Sequence, residues 1–179
     1  PLDLSWIANS SIDIGFDEEA LRLAKASGCK GLLVGFETIH PNNYLKTSVK
    51  MIRSKEDYKI AIKNIKAHGI KIFGSFIIGL DPYKHLDYLK LLWFLIRSGI
   101  WHIYLLVLTP FPGTDLFDRL KRENRIFSFN WRKYDMLTCV FKPKQISVFS
   151  VYFWLWFIRY LSAFSSRSFL FAWISFFVT

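Results

Sequence analysis

The sequence has little cysteine. Its 179 residues contain only Cys29 and Cys139, which are too far apart for a zinc or iron–sulfur spacing and too few for a disulfide framework. The four histidines are scattered, and none stands at a metal-ligand spacing from a cysteine or another histidine. The composition therefore excludes a disulfide-stabilised secreted domain, predicts no metal site within this chain, and favours a reducing cytoplasm.

Acidic residues are also scarce. There are 14 of them against 24 lysines and arginines, and the formal net charge is +10. Such an excess often indicates an anionic partner, but the basic residues are spread along the chain without a dense run, so we expect no nucleic-acid binding. The hydrophobic fraction of 52% is high for one domain. We therefore expect apolar surface to be covered by a partner, by lipid or by further chain, especially because the sequence starts at Pro1 rather than at a methionine.

An uninterrupted apolar run long enough to cross a membrane is missing as well. Residues 145–179 are rich in aromatic side chains and contain no acid, but Arg159 and Arg167 interrupt every window of the roughly 20 residues that a spanning helix needs. Two interpretations stay open. The segment forms either buried or partner-facing helices broken near Ser165 and Ser166, or a peripheral contact with a membrane.

What the sequence does contain is a repeated strand-then-helix pattern. Gly28, Gly69 and Gly99 each end a predicted helix, and an apolar run follows at once. We predict strands at 4–10, 31–36, 71–78 and 101–108, with helices after them that begin near Asp17, Ser54, Leu86 and Thr114. Such units imply right-handed parallel connections, hence either a doubly wound sheet or an arc of a (βα) barrel. The pattern does not choose between the two.

The second strand ends in the first candidate site. Residues 32–36 are apolar without clear alternation, which is typical of a strand covered on both faces. Glu37 and Thr38 follow at its carboxyl end, and α/β proteins bind ligands at that edge of the sheet. The alternative is that Glu37 caps the next loop or pairs with a lysine.

Four segments in this order resemble the later part of the radical S-adenosylmethionine barrel: SGCKGLLVGFET, HGIKIFGSFIIGLD, TPFPGT and ENRIF…W..YD….VFKP. The similarity is greatest to the subfamily with an N-terminal cobalamin-binding domain. The resemblance covers residues 1 to about 160 and implies an α/β fold, a partial (βα) TIM-like barrel in which these four strands are the third to sixth of six. It divides the chain into a barrel part at 1–124, an irregular extension at 125–144 and an apolar helical tail at 145–179.

The resemblance also implies chemistry. In this family a [4Fe-4S] cluster cleaves S-adenosylmethionine reductively, and in the cobalamin subfamily the outcome is often methyl transfer to a small-molecule substrate. The cluster is held by a CxxxCxxC loop that this sequence lacks. We therefore expect the chain alone to be catalytically incomplete and to require a missing N-terminal part. The alternative is a non-catalytic α/β binding module whose apolar tail docks on a membrane or a partner.

The binding residues that the resemblance implies lie at strand ends. Glu37 and Thr38 match a G-x-E-S position that contacts the ribose or amino-acid part of S-adenosylmethionine. A GxIxGxxE pattern against the adenine is matched loosely, because Ser75 replaces its first glycine and Pro82 its final acid. The implied residues are Glu37, Thr38, Ser75, Ile77, Gly79, Ser11 (with Asn9 and Ser10 as alternatives to Ser11) and Pro110 (with Pro112 and Gly113 in the same loop). The alternative roles are hydrogen bonding at strand ends and a stiff turn into the next helix.

Overall fold

The computed structural model describes residues 4–40 and 54–165. Its sheet contains four strands in consecutive order, and all three neighbouring pairs are parallel. The strands are β1 (Trp6–Ser11), β2 (Cys29–Glu37), β3 (Lys71–Ile78) and β4 (His102–Val107). The predicted strands and their parallel pairing are confirmed, with ends that differ by one or two residues at most.

The helices follow the strands as the caps predict. They are α1 (Glu18–Ala26), α2 (Lys55–Ala67), α3 (His85–Ser98), α4 (Asp115–Arg122) and α5 (Val148–Ser165), and a 3₁₀ turn (Ile12–Phe16) follows β1. Asp17 and Thr114 accept backbone N–H groups of the helices that they start, and Ser54 forms a capping box with Asp57. The starts of α1, α2 and α4 thus each have a local cause in the sequence.

The strand order decides between the two architectures. Every crossover moves one strand further in the same direction, so right-handed connections place α1, α2 and α3 on one face of the sheet. A doubly wound sheet would reverse direction and cover both faces. The chain therefore forms an arc of a (βα) barrel, and the predicted fold class is confirmed.

We call the covered face the helix face and the opposite one the inner face. The helix face contributes the core residues Leu32, Val34, Phe36, Ile72, Phe76, Ile78, Leu105 and Val107. On the inner face, the strand register aligns Ser11, Gly35, Ser75 and Tyr104 in one row. Leu33 borders an open inner-face groove of about 250 Å³. The described residues thus cover only one face of β2, whereas the sequence predicts two covered faces. The prediction is wrong because strand residues that line the inside of a barrel are apolar as well.

The segment after α4 is anchored by an ion pair. The Arg125 guanidinium donates to both carboxylate oxygens of Asp81, and the Lys144 N–H donates to the same carboxylate at 3.1 Å. Apart from a short 3₁₀ turn (Trp131–Lys133) and a single bridge between Ile126 and Phe141, residues 125–144 have no regular structure. The ion pair therefore ties this extension to the loop between β3 and α3.

Helix α5 belongs to the main core. It packs against α3 and β4, and it buries Val151, Trp154, Leu155 and Ile158. Among the residues described, no helix is both long and apolar enough to cross a membrane. The rest of the predicted tail, 166–179 with Arg167, and most of the predicted polar loop, 41–53, lie outside the described residues.

Candidate functional site

The carboxyl end of β2 makes an unusual turn at Glu37. The Thr38 N–H donates to the Phe36 carbonyl at 2.6 Å, which closes a three-residue γ-turn, and the pairing with β3 shifts register at this point. Glu37, at the centre of the turn, has a φ of 58°. A γ-turn with positive φ is rare and strained, and such strain persists only where the surroundings enforce it.

The Glu37 carboxylate folds back over Gly35. A Cβ atom added to Gly35 would lie 2.6 Å from the Glu37 Oε1 atom and 4.0 Å from the Ser75 hydroxyl oxygen, so both groups border this glycine. A larger residue at position 35 would displace the carboxylate from this position. Burial raises the pKa of Glu37, and the nearby Ser75 hydroxyl opposes that shift. The result is a half-buried acceptor on the inner face. No lysine of the described residues contributes to the pKa shift of Glu37.

Thr38 faces the helices instead. Its side chain is 2% exposed, and its hydroxyl lies 2.6 Å from the Tyr83 hydroxyl. The Tyr58 hydroxyl donates to the Thr38 carbonyl at 3.0 Å. These contacts point to a role for Thr38 in holding the turn, next to a carboxylate that faces the other way.

The remaining predicted residues lie along the same rim of the sheet. Ser11 ends β1 in the row of Gly35 and Ser75, and its hydroxyl accepts from the Asp13 N–H. Ile77 is half-buried near the end of β3, and Gly79, just after it at φ 90°, donates its N–H to the Tyr88 hydroxyl at 3.0 Å. Pro110 is buried in the loop that follows β4. Parallel strands bring these exits to one rim, where Glu37 and Ser75 both border Gly35.

Sequence reasoning missed three residues of the site. The apolar run around Gly35 gives no signal for a site residue, although Gly35 lies two residues before Glu37 and therefore on the same face of the strand. Tyr58 is in α2 and Tyr83 is in the loop after β3. No local signal links either tyrosine to Thr38, because the sequence separations are 20 and 45 residues.

The described residues do not suit an iron–sulfur cluster. Among them, no three His, Cys, Asp or Glu side chains are grouped so that they could hold a metal ion. Cys29 and Cys139 are both buried, and burial raises the pKa of each thiol. A thiolate ligand is disfavoured at either position.

Comparisons with known proteins agree with the motifs. The chain is 33% identical to the bacteriochlorophyllide d C-12(1)-methyltransferase of Chlorobaculum tepidum over 145 residues, which cover 81% of this chain and 31% of the relative. It is 30% identical to an uncharacterized methyltransferase of Pyrococcus horikoshii over 82% of this chain and 31% of the relative. The chain thus spans less than a third of the length of these relatives. No protein-family model matches it.

The fold has a counterpart among solved structures. The archaeal Elp3 of Methanocaldococcus infernus superposes with a TM-score of 0.56 at 18% identity, over 78% of this chain and 29% of that one. At this identity the likeness supports the fold alone. Both relatives are named as methyltransferases. Motif order, fold and relatives agree, and the chain belongs to the radical S-adenosylmethionine superfamily.

Proposed function

We propose that this chain forms part of the S-adenosylmethionine-binding wall of a radical S-adenosylmethionine methyltransferase. The observation that carries the proposal is the Glu37 carboxylate, held on the inner face over Gly35 by a strained turn. An ionised carboxylate only accepts hydrogen bonds. It suits the ribose hydroxyls and the ammonium group of S-adenosylmethionine, which donate them.

The neighbouring residues complete this wall. The Ser75 hydroxyl orients the carboxylate, and Ile77, two residues further along the same face of β3, supplies apolar surface for the adenine. Ser11 lies in the same row as Ser75 and is exposed towards the methionine part. We assign backbone contacts to Gly79 and Pro110, whose loops leave the same rim, and a turn-holding role to Thr38.

S-adenosylmethionine, bound to a reduced cluster, supplies the radical or methyl chemistry of this superfamily. Its binding suits the donors and acceptors described here, whereas the cluster does not suit this chain's two buried cysteines. We therefore propose that the cluster ligands, and the cobalamin domain that the resemblance implies, belong to other parts of the full-length protein. A small-molecule substrate agrees with the names of the relatives, such as the hopanoid C-2 methylase of Rhodopseudomonas palustris.

Calorimetric titration of S-adenosylmethionine into the full-length protein with its reconstituted cluster tests the proposal. Glu37→Gln keeps the shape of the side chain and removes its charge. We expect it to weaken binding about 10- to 100-fold, because a hydrogen bond to a charged group contributes roughly 1.5–3 kcal/mol. Glu19→Gln, on the exposed surface of α1, is the matched control and should bind like the wild type. Unchanged affinity in Glu37→Gln would overturn the assignment.

The same titration should depend on pH. Burial raises the pKa of Glu37, so its carboxylate becomes protonated at a higher pH than an exposed glutamate. We expect wild-type affinity to fall as the pH drops through that raised pKa, since a protonated carboxyl loses its charge-assisted acceptor role. In Glu37→Gln this acidic transition should be absent. A transition of equal size in both proteins would assign it to another group.

A second candidate function rests on the outer surface of α5. Phe149, Phe153, Trp156 and Tyr160 recur at helical spacing and are 47–78% exposed. We propose that this aromatic stripe contacts an anionic membrane peripherally, since aromatic side chains favour the interface and the segment carries no acid. Replacing Phe149 and Trp156 by serine should reduce co-sedimentation with phosphatidylserine vesicles. The control replaces Phe127 and Phe129, which are exposed in the extension, and a wild type that leaves the vesicles unbound would overturn the proposal.

A further inference from the structure

We infer that Tyr58 and Tyr83 are positioning residues that hold Glu37 in its strained turn from the helix face, without contacting the ligand themselves. We call the two hydroxyls the tyrosine clamp. The inference rests on the proposed binding role of Glu37 for its functional meaning. The geometry of the clamp is independent of that role.

Tyr83 fixes the chain on the far side of the turn. Its side chain is 1% exposed, and its hydroxyl pairs with the Thr38 hydroxyl at 2.6 Å. The same Tyr83 hydroxyl accepts the Ile39 N–H at 3.2 Å, and the Thr38 hydroxyl accepts the His40 N–H at 3.0 Å. Two side-chain hydroxyls thus bind the backbone of the two residues that follow Thr38, which lie beyond the last pair of the β2–β3 ladder.

Tyr58 fixes the turn itself. Its hydroxyl donates to the Thr38 carbonyl at 3.0 Å and approaches the Phe36 carbonyl at 3.5 Å, so it bridges the residues on either side of Glu37. Burial raises the pKa of Tyr58, and the nearby Glu37 and Tyr83 act in the same direction. The hydroxyl therefore remains protonated and stays a donor. The Tyr58 ring packs against the Phe36 ring with 5.5 Å between the ring centroids, which holds the hydroxyl donor close to the sheet.

The energetic argument follows from the strain. Glu37 has a strained backbone conformation with positive φ. Such a conformation persists only where contacts of the neighbouring residues enforce it. Here the fixing groups come from two separate elements, α2 and the loop after β3, and both act on Thr38. With either hydroxyl removed, the turn can relax toward ordinary strand geometry, and the carboxylate then leaves its seat over Gly35.

The test uses Tyr83→Phe in the full-length protein, because this change removes only the hydroxyl. The first readout is the titration midpoint of the Glu37 side-chain carbon, observed by NMR and assigned by its loss in Glu37→Gln. We expect the midpoint to move toward that of an exposed glutamate. The second readout is S-adenosylmethionine affinity, which should fall about tenfold while Glu37 itself is intact. Tyr58→Phe should act in the same direction.

The matched control is Tyr152→Phe. Tyr152 also accepts a backbone N–H, from Cys139 at 3.0 Å, but it lies in α5 away from Glu37. Its loss should lower the melting temperature without moving the Glu37 midpoint or the affinity. If Tyr83→Phe does not fold, Thr38→Val removes the other hydroxyl of the pair and takes its place with the same expected results.

Two results would overturn the inference. One is a Tyr83→Phe protein that melts earlier but keeps the wild-type Glu37 midpoint and affinity. The other is a Tyr152→Phe protein that shifts both as strongly, which would mean a general loss of stability. Failure of the proposed function looks different. In that case Glu37→Gln would bind S-adenosylmethionine like the wild type, and the Glu37 titration midpoint in Tyr83→Phe would still test the tyrosine clamp.

Discussion

The two edges of the sheet differ. Along β4, the Leu105 carbonyl accepts from the Arg159 guanidinium of α5 at 3.0 Å, and the Val107 N–H donates to the Met136 carbonyl of the extension at 2.7 Å. Along the outer edge of β1, no strand in residues 4–40 or 54–165 is paired. The side chain of Ile7 on that strand lines the open inner-face groove and is 60% exposed. Later segments of the chain thus contact the β4 edge, whereas the β1 edge has no neighbouring strand within the described part.

This difference indicates at which edge a further strand could pair. An unpaired edge strand offers a row of N–H and carbonyl groups to another strand, whereas the β4 edge has those groups occupied by a side chain and a loop. The arrangement agrees with the expectation that these strands are the last four of a six-stranded barrel. The following substitutions test whether contacts at the β4 edge contribute more to stability than contacts at the β1 edge.

The largest effect should come from Arg125→Ala. The Arg125 and Asp81 side chains are only 11% and 17% exposed, and their ion pair anchors the extension that covers the β4 edge. Removing one partner of such a pair leaves a poorly solvated charge, so we expect a loss of about 3–5 kcal/mol in urea denaturation. Arg22→Ala breaks an exposed pair on α1 and should change stability very little. Equal losses would show that the extension is not anchored by Asp81.

A second test makes the same deletion at both edges. Ile158 of α5 is fully buried beside β4, whereas Ile7 of β1 is mostly exposed. Ile158→Ala should cost about 2–5 kcal/mol through lost burial and a cavity. Ile7→Ala should stay within about 0.5 kcal/mol. If Ile7→Ala were the more damaging change in the full-length protein, the β1 edge would be covered there by other chain, which would sharpen the comparison.

A smaller effect of opposite sign is expected at Met136. This residue has a φ of 61°, in the left-handed region, where it presents its carbonyl to β4. Met136→Gly should raise stability by up to about 1 kcal/mol, because glycine adopts this conformation without a Cβ penalty. Leu137→Gly, with similar exposure and no positive φ, is the control and should lower stability. Destabilisation of similar size by both changes would mean that position 136 is not strained.

The smallest change in stability should accompany Ile7→Lys. A lysine on an edge strand discourages pairing with other chains, so this variant of the chain should self-associate less than the parent in sedimentation velocity. Its unfolding free energy should stay within about 0.5 kcal/mol of the parent. Ile60→Lys, on the exposed face of α2, is the control and should not change association. A parent chain that sediments as a monomer would contradict the idea of an adhesive β1 edge.

Local rules accounted for most of the elements and for one side of the site. The glycine after each of the first three helices and the caps at Asp17, Ser54 and Thr114 predicted the helix boundaries. Ser75 is implied only by the family resemblance, whereas Glu37 is predicted at the carboxyl end of β2 because an apolar run that ends in polar residues marks the end of a buried strand. These signals are readable because each depends on residues only a few positions apart.

The sequence by itself determined the four parallel strand–helix units, their boundaries and the acid at the end of β2. Only the tertiary structure decided that every crossover runs in one direction, that α5 covers the β4 edge through Arg159, and that Tyr58 and Tyr83 meet at Thr38. The physical reason is range. Propensity and capping act within one or two turns of chain, whereas strand order, edge covering and the tyrosine clamp depend on groups 20 to 54 residues apart that only packing brings together.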